Sequence, residues 1–276
     1  MKSWPIRTVL IAACASVLAS ACAASAVPKP DHVVVVIEEN KAFSDVVGNE
    51  AAPYIKQLTE EGALMEESYA LTHPSLPNYL ALFSGSTQGV RDDRCRYEFQ
   101  GPNLAEALAK AGSNFAIFSE DLPKVGSRTC GHGGYRKKHN PAAYFTDLSP
   151  GVNRPLRDFP SDFSRLPTVA FVVPNVDNDM HDGSIARADS WLREHLDPYV
   201  QWAKDHHSLL VLTWDEDDRS EENHIVTLVV GAGVRPGRYK QHIDHYDVLS
   251  TLAAFYGIPA PGEASRRKPI TGIWMD

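Results

Sequence analysis

Short apolar runs separated by amphipathic stretches constrain this chain more than any other feature. The runs are His32–Ile37, Phe115–Phe118, Val169–Val173, Leu209–Thr213 and Ile225–Val230. Several are continuous and rich in β-branched residues, the pattern of a strand covered on both faces. Helical patterns lie between them at Pro53–Glu61, Asn103–Gly112, Ile185–Asp205 and Val248–Tyr256. Pro53 suits a first helical turn, Gly62 a C′ stop, and Pro198 a kink inside the long third helix. Strands alternating with helices predict an α/β fold with a mostly parallel central sheet flanked by helices on both faces. Ser86–Gln100 and Lys124–Asn140 read as loops over a site. With 276 residues, 43% of them hydrophobic and 22% charged, the chain has globular composition and enough length for a sizeable core. We expect a single domain over residues 31–276, acting as a monomer. The formal charge of −8 lacks the basic footprint of a nucleic-acid binder.

The N-terminus carries a separate message. Lys2 and Arg7 precede an uncharged stretch, Thr8 to Val27, that ends in small residues before Pro28. This is the pattern of an export signal, residues 1–21, with cleavage before Cys22 in a lipobox-like setting or before Val27 after Ala24-Ser25-Ala26. The bland reading is an uncleaved membrane anchor. Cleavage before Cys22 would tether the protein to a membrane through a lipid; either mode places it in the periplasm, at the envelope or outside the cell. Only Cys95 and Cys130 then remain in the folded body, and an oxidising compartment favours one disulfide between them over two free thiols.

Ligands of parallel sheets bind beyond the carboxyl ends of the strands. Three predicted strands run into ligand-type residues there: Glu38-Glu39-Asn40, Asn175 to Asp182, and Asp215 to Asp218. Any one such cluster is most simply a solvated turn, but three at one edge repel one another unless a cation intervenes. Asp177 and His181 are one helical turn apart if their segment is helical, so both could face one ion, with His245 completing the group. Ser75 lies between Pro74 and Pro77, just before a predicted helix. It reads either as a simple N-cap or as a nucleophile at a helix N-terminus suited to a phosphate.

Together these residues resemble the alkaline phosphatase superfamily, and within it the phosphoesterase family of bacterial secreted acid phosphatases and phospholipases C, with phosphatidylinositol-3-phosphatase-like members. The likeness rests on HPSLPNYLALFSG, NDMHDGS, TWDEDD and GAGVRPGRY, and spans roughly Asp31 to Trp274. It implies an alkaline-phosphatase-like fold and a metal-dependent acid phosphatase working through a phosphoserine. Ser75 would be the nucleophile and Asn78 would hold a phosphate oxygen. Glu39, Asn40, Asp215 and Glu216 would bind the ion beside Ser75. Asp177, His181 and His245 would form a second metal site or a phosphate pocket, with His181 an acid or base. Arg136, Lys137 and His139 would bind the phosphate or a second anionic group. Glu39 and Glu216 stand where classical members have aspartate and histidine, so the first site is oxygen-rich and favours Mg²⁺, Ca²⁺ or Mn²⁺, with Zn²⁺ an alternative; one or two ions are expected. The substrate would be a small phosphate ester or a phospholipid head group. A phospholipase C-type diesterase would use the same residues. A binding lipoprotein without turnover is the rival of a different class.

Overall fold

The computed structural model describes Met1 and residues 27–275; residues 2–26, which carry the rest of the expected export signal, lie outside the described residues. In chain order the elements are β1 (Val33–Glu38), α1 (Phe43–Val46), α2 (Pro53–Glu61), β2 (Ala63–Tyr69), α3 (Ser75–Ser84), α4 (Leu104–Lys110), β3 (Phe115–Ser119), β4 (Gly131–His132), β5 (Tyr135–Arg136), β6 (Asn153–Pro155), β7 (Val169–Val173), α5 (Ile185–Asp205), β8 (Leu209–Trp214), β9 (Thr227–Gly231), β10 (Gly237–Asp244) and α6 (His245–Phe255). Eight strands form one sheet in the order β10-β2-β9-β8-β1-β7-β3-β6. β1 sits near its centre, parallel to both β7 and β8.

The sheet is mostly parallel, as the sequence predicts, with one exception. β9 runs antiparallel to β8 and to β2. The chain supplies no helical crossover between β8 and β9, only the turn-rich segment 215–226, and a short link joins antiparallel neighbours. β2 (ALMEESY), β6 and β10 (GRYKQHID) escape the apolar-run criterion. β10 is an edge strand that alternates exposed and half-buried residues, so its solvent face is polar. The four helical patterns are all present. Asn103 caps α4 by accepting from the Glu106 N–H. Gly62 ends α2 in extended backbone rather than as a left-handed stop. Glycine is required there by crowding, since a Cβ would lie 2.4 Å from the Val229 carbonyl oxygen.

Pleat alternation sorts the core into two layers. Val33, Val35 and Ile37 of β1 pack with α3, α4 and α6, whereas Val34 and Val36 pack with α2 and α5. β8 obeys the same parity: Leu209 and Val211 face the α3 side, Leu210, Leu212 and Trp214 the α5 side. α3 lies within the first layer, and all ten of its residues are buried. It stops at Gly85, whose φ of 69° is left-handed.

The two long loops are stapled together by a Cys95–Cys130 disulfide with Cα atoms 5.5 Å apart. Lys137 reinforces the staple, its N–H donating to the Cys130 carbonyl and its Nζ to the Cys95 carbonyl. Closing a loop of 35 residues restrains the unfolded chain, an effect of about 3–4 kcal/mol in the chain-entropy picture. Thermal melts with and without reductant should therefore show a melting temperature lower by several degrees in the reduced protein; coincident melts, with the thiols verified as free, would contradict this.

Candidate active site

Register and parity assemble the site. Glu38 pairs with Trp214 at the ends of β1 and β8, so the next residues, Glu39 and Asp215, leave the sheet side by side. Glu39 continues the face of Val33, Val35 and Ile37, and meets the first residue of α3. Ser75 Oγ donates to Glu39 Oε2 at 3.2 Å and to Glu216 Oε1 at 3.3 Å. Ser75 is the first helical residue; Pro74 is the N-cap. Asp215 Oδ1 accepts from the N–H groups of Glu216 (2.6 Å) and Asn40 (3.3 Å). Asn40 takes a left-handed φ of 53°, a conformation asparagine tolerates. Glu39, Asn40, Ser75, Asp215 and Glu216, five of the residues singled out in the sequence, are thus brought together.

The electrostatics of this group are unbalanced. Burial, then Glu39 and Glu216, push Asp215 well above the usual carboxylate range. Glu216 is raised to about 8 by burial and by Glu39 and Asp93. Burial would raise Glu39 as well, but the His139 charge prevails and holds it at about 2. His139 responds in kind: burial opposes its protonation, yet Glu39 and Asp179 lift it to about 9. Its Nε2 lies 3.0 Å from Glu39 Oε1 and its Nδ1 3.3 Å from Asp179 Oδ2, ion-pair distances without hydrogen-bond directionality. Glu39 Oε1 and Asp215 Oδ2 remain buried without a hydrogen-bond partner. Buried carboxylates with unsatisfied oxygens would suit a hard divalent cation.

Around this core stand residues that the sequence did not single out. His73 bridges Glu216 (Nδ1–Oε2, 2.8 Å) and Asp217 (Nε2–Oδ1, 3.0 Å). Burial and Arg219 lower its pKa. Asp217 is held ionised against its burial by the N–H groups of Glu221, Arg219 and Asn223. His73 thus links Glu216 to Asp217, with one ring nitrogen facing each carboxyl group. Lys138 Nζ approaches Ser75 Oγ (3.4 Å), Asp93 Oδ2 (3.2 Å) and His181 Nε2 (3.1 Å). Asp93 Oδ1 in turn accepts the Leu76 N–H at 3.0 Å, so this N–H of the α3 N-terminus is already occupied. The staple offered a signal for both Asp93 and Lys138, because they flank Cys95 and Cys130 in the two loops.

Other expected site residues lie elsewhere. The Asp177–His181 segment is a turn, not a helix. Asp177 is half-exposed, with its carboxylate 3.6 Å from Arg187, while His181 turns inward and its Nδ1 meets Asp182 Oδ1 at 2.7 Å. His181 groups instead with Glu39 and His139, their ligand atoms within 4.8 Å of one another. His245 opens α6 and is buried; its Nε2 meets the Asp215 carbonyl oxygen at 2.7 Å, where it supports the turn that carries Asp215 and Glu216. Asn78 spends its amide on the backbone of the preceding turn, accepting from Leu71 and Thr72 N–H and donating to the Thr72 carbonyl. Arg136 donates to the Gly133 and Tyr135 carbonyls, and Lys137 Nζ lies 4.3 Å over the Tyr144 ring. Consecutive side chains diverge along the tight turn of Lys137–His139, which sends Lys138 toward Ser75, His139 toward Glu39 and Lys137 toward Cys95 and Tyr144.

The phosphoesterase family model matches residues 49–259. The chain belongs to the phosphoesterase family. It is thereby a hydrolase of phosphoric esters. A phosphatidylinositol-3-phosphatase of Mycobacterium tuberculosis is 50% identical over 257 residues, covering 92% of this chain and 86% of that protein. A phosphate-repressible acid phosphatase of Penicillium chrysogenum is 30% identical over 254 residues, which span 84% of this chain and 60% of the fungal protein. An alkaline phosphatase superfamily protein of Vibrio parahaemolyticus shares the fold, with a TM-score of 0.57 at 14% identity over 90% of this chain and 72% of that one.

In the metal-free phosphoesterase, Glu216 has a folded pKa of about 8, above its ordinary value of 4.5. Stability contributed by the protonated form is complete below 4.5 and is lost as pH rises through about 8. Glu216→Gln should flatten that loss and raise the metal-free melting temperature above about pH 8, while shrinking the rise produced by Mn²⁺ or Mg²⁺. A variant with the wild-type pH slope and an undiminished ion response would contradict the assignment.

Proposed function

We propose that this protein is an exported, metal-dependent phosphomonoesterase that works through a phosphorylated Ser75. One observation carries the reading: the Ser75 hydroxyl is within hydrogen-bond distance of two carboxylates from different strand ends, Glu39 and Glu216. A helix-cap serine needs no such company.

The divalent cation would be held by Glu39, Asn40, Asp215 and Glu216, and its charge would offset theirs and favour the ionised serine oxygen. The Ser75 proton faces the two carboxylates, so an oxygen lone pair is turned away from them, toward Lys138. In the first half-reaction Ser75 Oγ bonds to phosphorus, the bond from phosphorus to the alcohol oxygen breaks, and the alcohol leaves carrying the serine proton. In the second, a water oxygen bonds to phosphorus, the Oγ–P bond breaks, and a water proton returns to Ser75. His181 suits the handling of these protons. Asp182 at Nδ1 calls for a hydrogen there, and the Lys138 ammonium calls for a lone pair at Nε2, so the basic nitrogen faces the site. Fixed charges positioned before the reaction supply most of the acceleration.

The oxygen-rich ligand set supports one Mg²⁺, Ca²⁺ or Mn²⁺ at this position. Relatives named as acid phosphatases and as a phosphatidylinositol-3-phosphatase support a monoester substrate, an inositide head group among them. Export is supported by the N-terminal pattern and by a disulfide suited to an oxidising compartment.

Ser75→Ala should lower turnover of p-nitrophenyl phosphate at least about 1,000-fold, the scale on which loss of a nucleophile is felt. Its melting temperature in divalent ion should still rise. Turnover near wild type would remove Ser75 from the reaction.

A further inference from the structure

We propose that Lys138 is the cation that binds the substrate's phosphoryl group, and that it fits the site to dianionic monoesters in preference to diesters. The inference rests on the reading of Ser75 as nucleophile and names the residue that sets its substrate class.

The space beside Ser75 is asymmetric in charge. Glu39, Asp215 and Glu216 stand on one side. Lys138 is the cation of this group, its ammonium donating to the Ser75 oxygen at 3.4 Å and paired with Asp93. A phosphoryl group bonded to this oxygen would bring its non-bridging oxygens within reach of Lys138. The other basic residues of the segment are committed elsewhere: Arg136 and Lys137 to backbone carbonyls, His139 to Glu39 and Asp179. Lys138 is also built in. Its side chain is 18% exposed, so its charge is screened little by water. Asp93 anchors the ammonium through Oδ2 while Oδ1 is tied to the start of α3, and the disulfide joins the loops bearing the two residues. Asp93 acts here as a positioning residue. The ammonium lies 3.1 Å from His181 Nε2, at the edge of the Glu39, His139 and His181 group, where it supplies the positive charge a second ion would bring.

A phosphate monoester carries about −1.5 to −2 charge near neutral pH and offers three non-bridging oxygens. A diester carries a single charge on two. An ammonium opposite the carboxylate side therefore favours the monoester more.

The test compares Lys138→Met, which keeps the stem's bulk, with Lys138→Arg, which keeps the charge. Each is assayed in Mn²⁺ with p-nitrophenyl phosphate and bis(p-nitrophenyl) phosphate, and the Kd for inorganic phosphate is measured by calorimetry. Lys138→Met should lose about 100-fold or more in monoester kcat/KM, the scale of one preorganised donor. It should lose under about 10-fold with the diester, and phosphate binding should weaken in step with the monoester. Lys138→Arg should recover phosphate binding. Asp93→Asn should raise monoester KM more than it lowers kcat. Equal losses for the two esters, or phosphate bound by Lys138→Met as tightly as by wild type, would overturn the proposal. Phosphate binding does not require a nucleophile, so that readout stands apart from the fate of Ser75. Melting curves identify a variant that fails to fold, in which case Lys138→Arg and Asp93→Asn decide.

Discussion

Three carboxylates, Glu39, Asp215 and Glu216, are brought together at one sheet edge by the register of β1 against β8 and by the pleat of both strands. Their mutual repulsion is the constraint around which the rest of the structure is arranged. Ordinary folding would avoid such a cluster, because each buried charge loses its hydration and gains a like-charged neighbour. The surroundings answer it partway. His139 neutralises Glu39, His73 ties Glu216 to Asp217, and backbone N–H groups satisfy one oxygen of Asp215. Unpartnered oxygens remain on Glu39 and Asp215. The remaining demand is for positive charge, which the proposed cation would meet.

The opposite side of the pocket is built by different means. It comes from two irregular loops that carry little secondary structure and rely on a covalent staple. Cys95–Cys130, the Lys137 contacts and the Asp93–Lys138 pair form one connected unit that presses an ammonium toward the start of α3. Ser75, the proposed nucleophile, thus lies between a sheet edge carrying negative charge and a stapled loop pair that presents an ammonium. α3 itself is buried along its whole length, so the position of Ser75 is set by core packing. A serine on a surface turn could not be held so closely to two strand ends.

Much of this was legible in the sequence. β1, β3, β7 and β8 announce themselves because a strand covered on both faces needs unbroken apolar residues, and the acidic residues after β1 and β8 mark the ligand edge. Parity along VVVVIEE even distinguishes Glu39, which faces α3, from Glu38, which follows Val34 and Val36 into the other layer. The edge strand β10 was hidden by its polar outer face, and β2 by its two glutamates. Ligand spacing misled where it presumed regular structure: Asp177 and His181 share a face only on a helix, and the segment is a turn. Asn78 and His245 are polar residues at the right places, but they hold the backbone that presents the site. The cysteine pair points to the loop that holds Lys138, but nothing in a run of basic residues tells it from Arg136 and Lys137 as the one that reaches Ser75.

In the proposed enzyme a cation meets Glu39, Asp215 and Glu216 beside Ser75. Anomalous scattering from a crystal of the protein grown with Mn²⁺ tests that most directly. A single strong peak in contact with those three carboxylates and Ser75 Oγ is the result the account predicts. Density bare of any such peak at this edge, at an ion concentration that supports full activity, would contradict it.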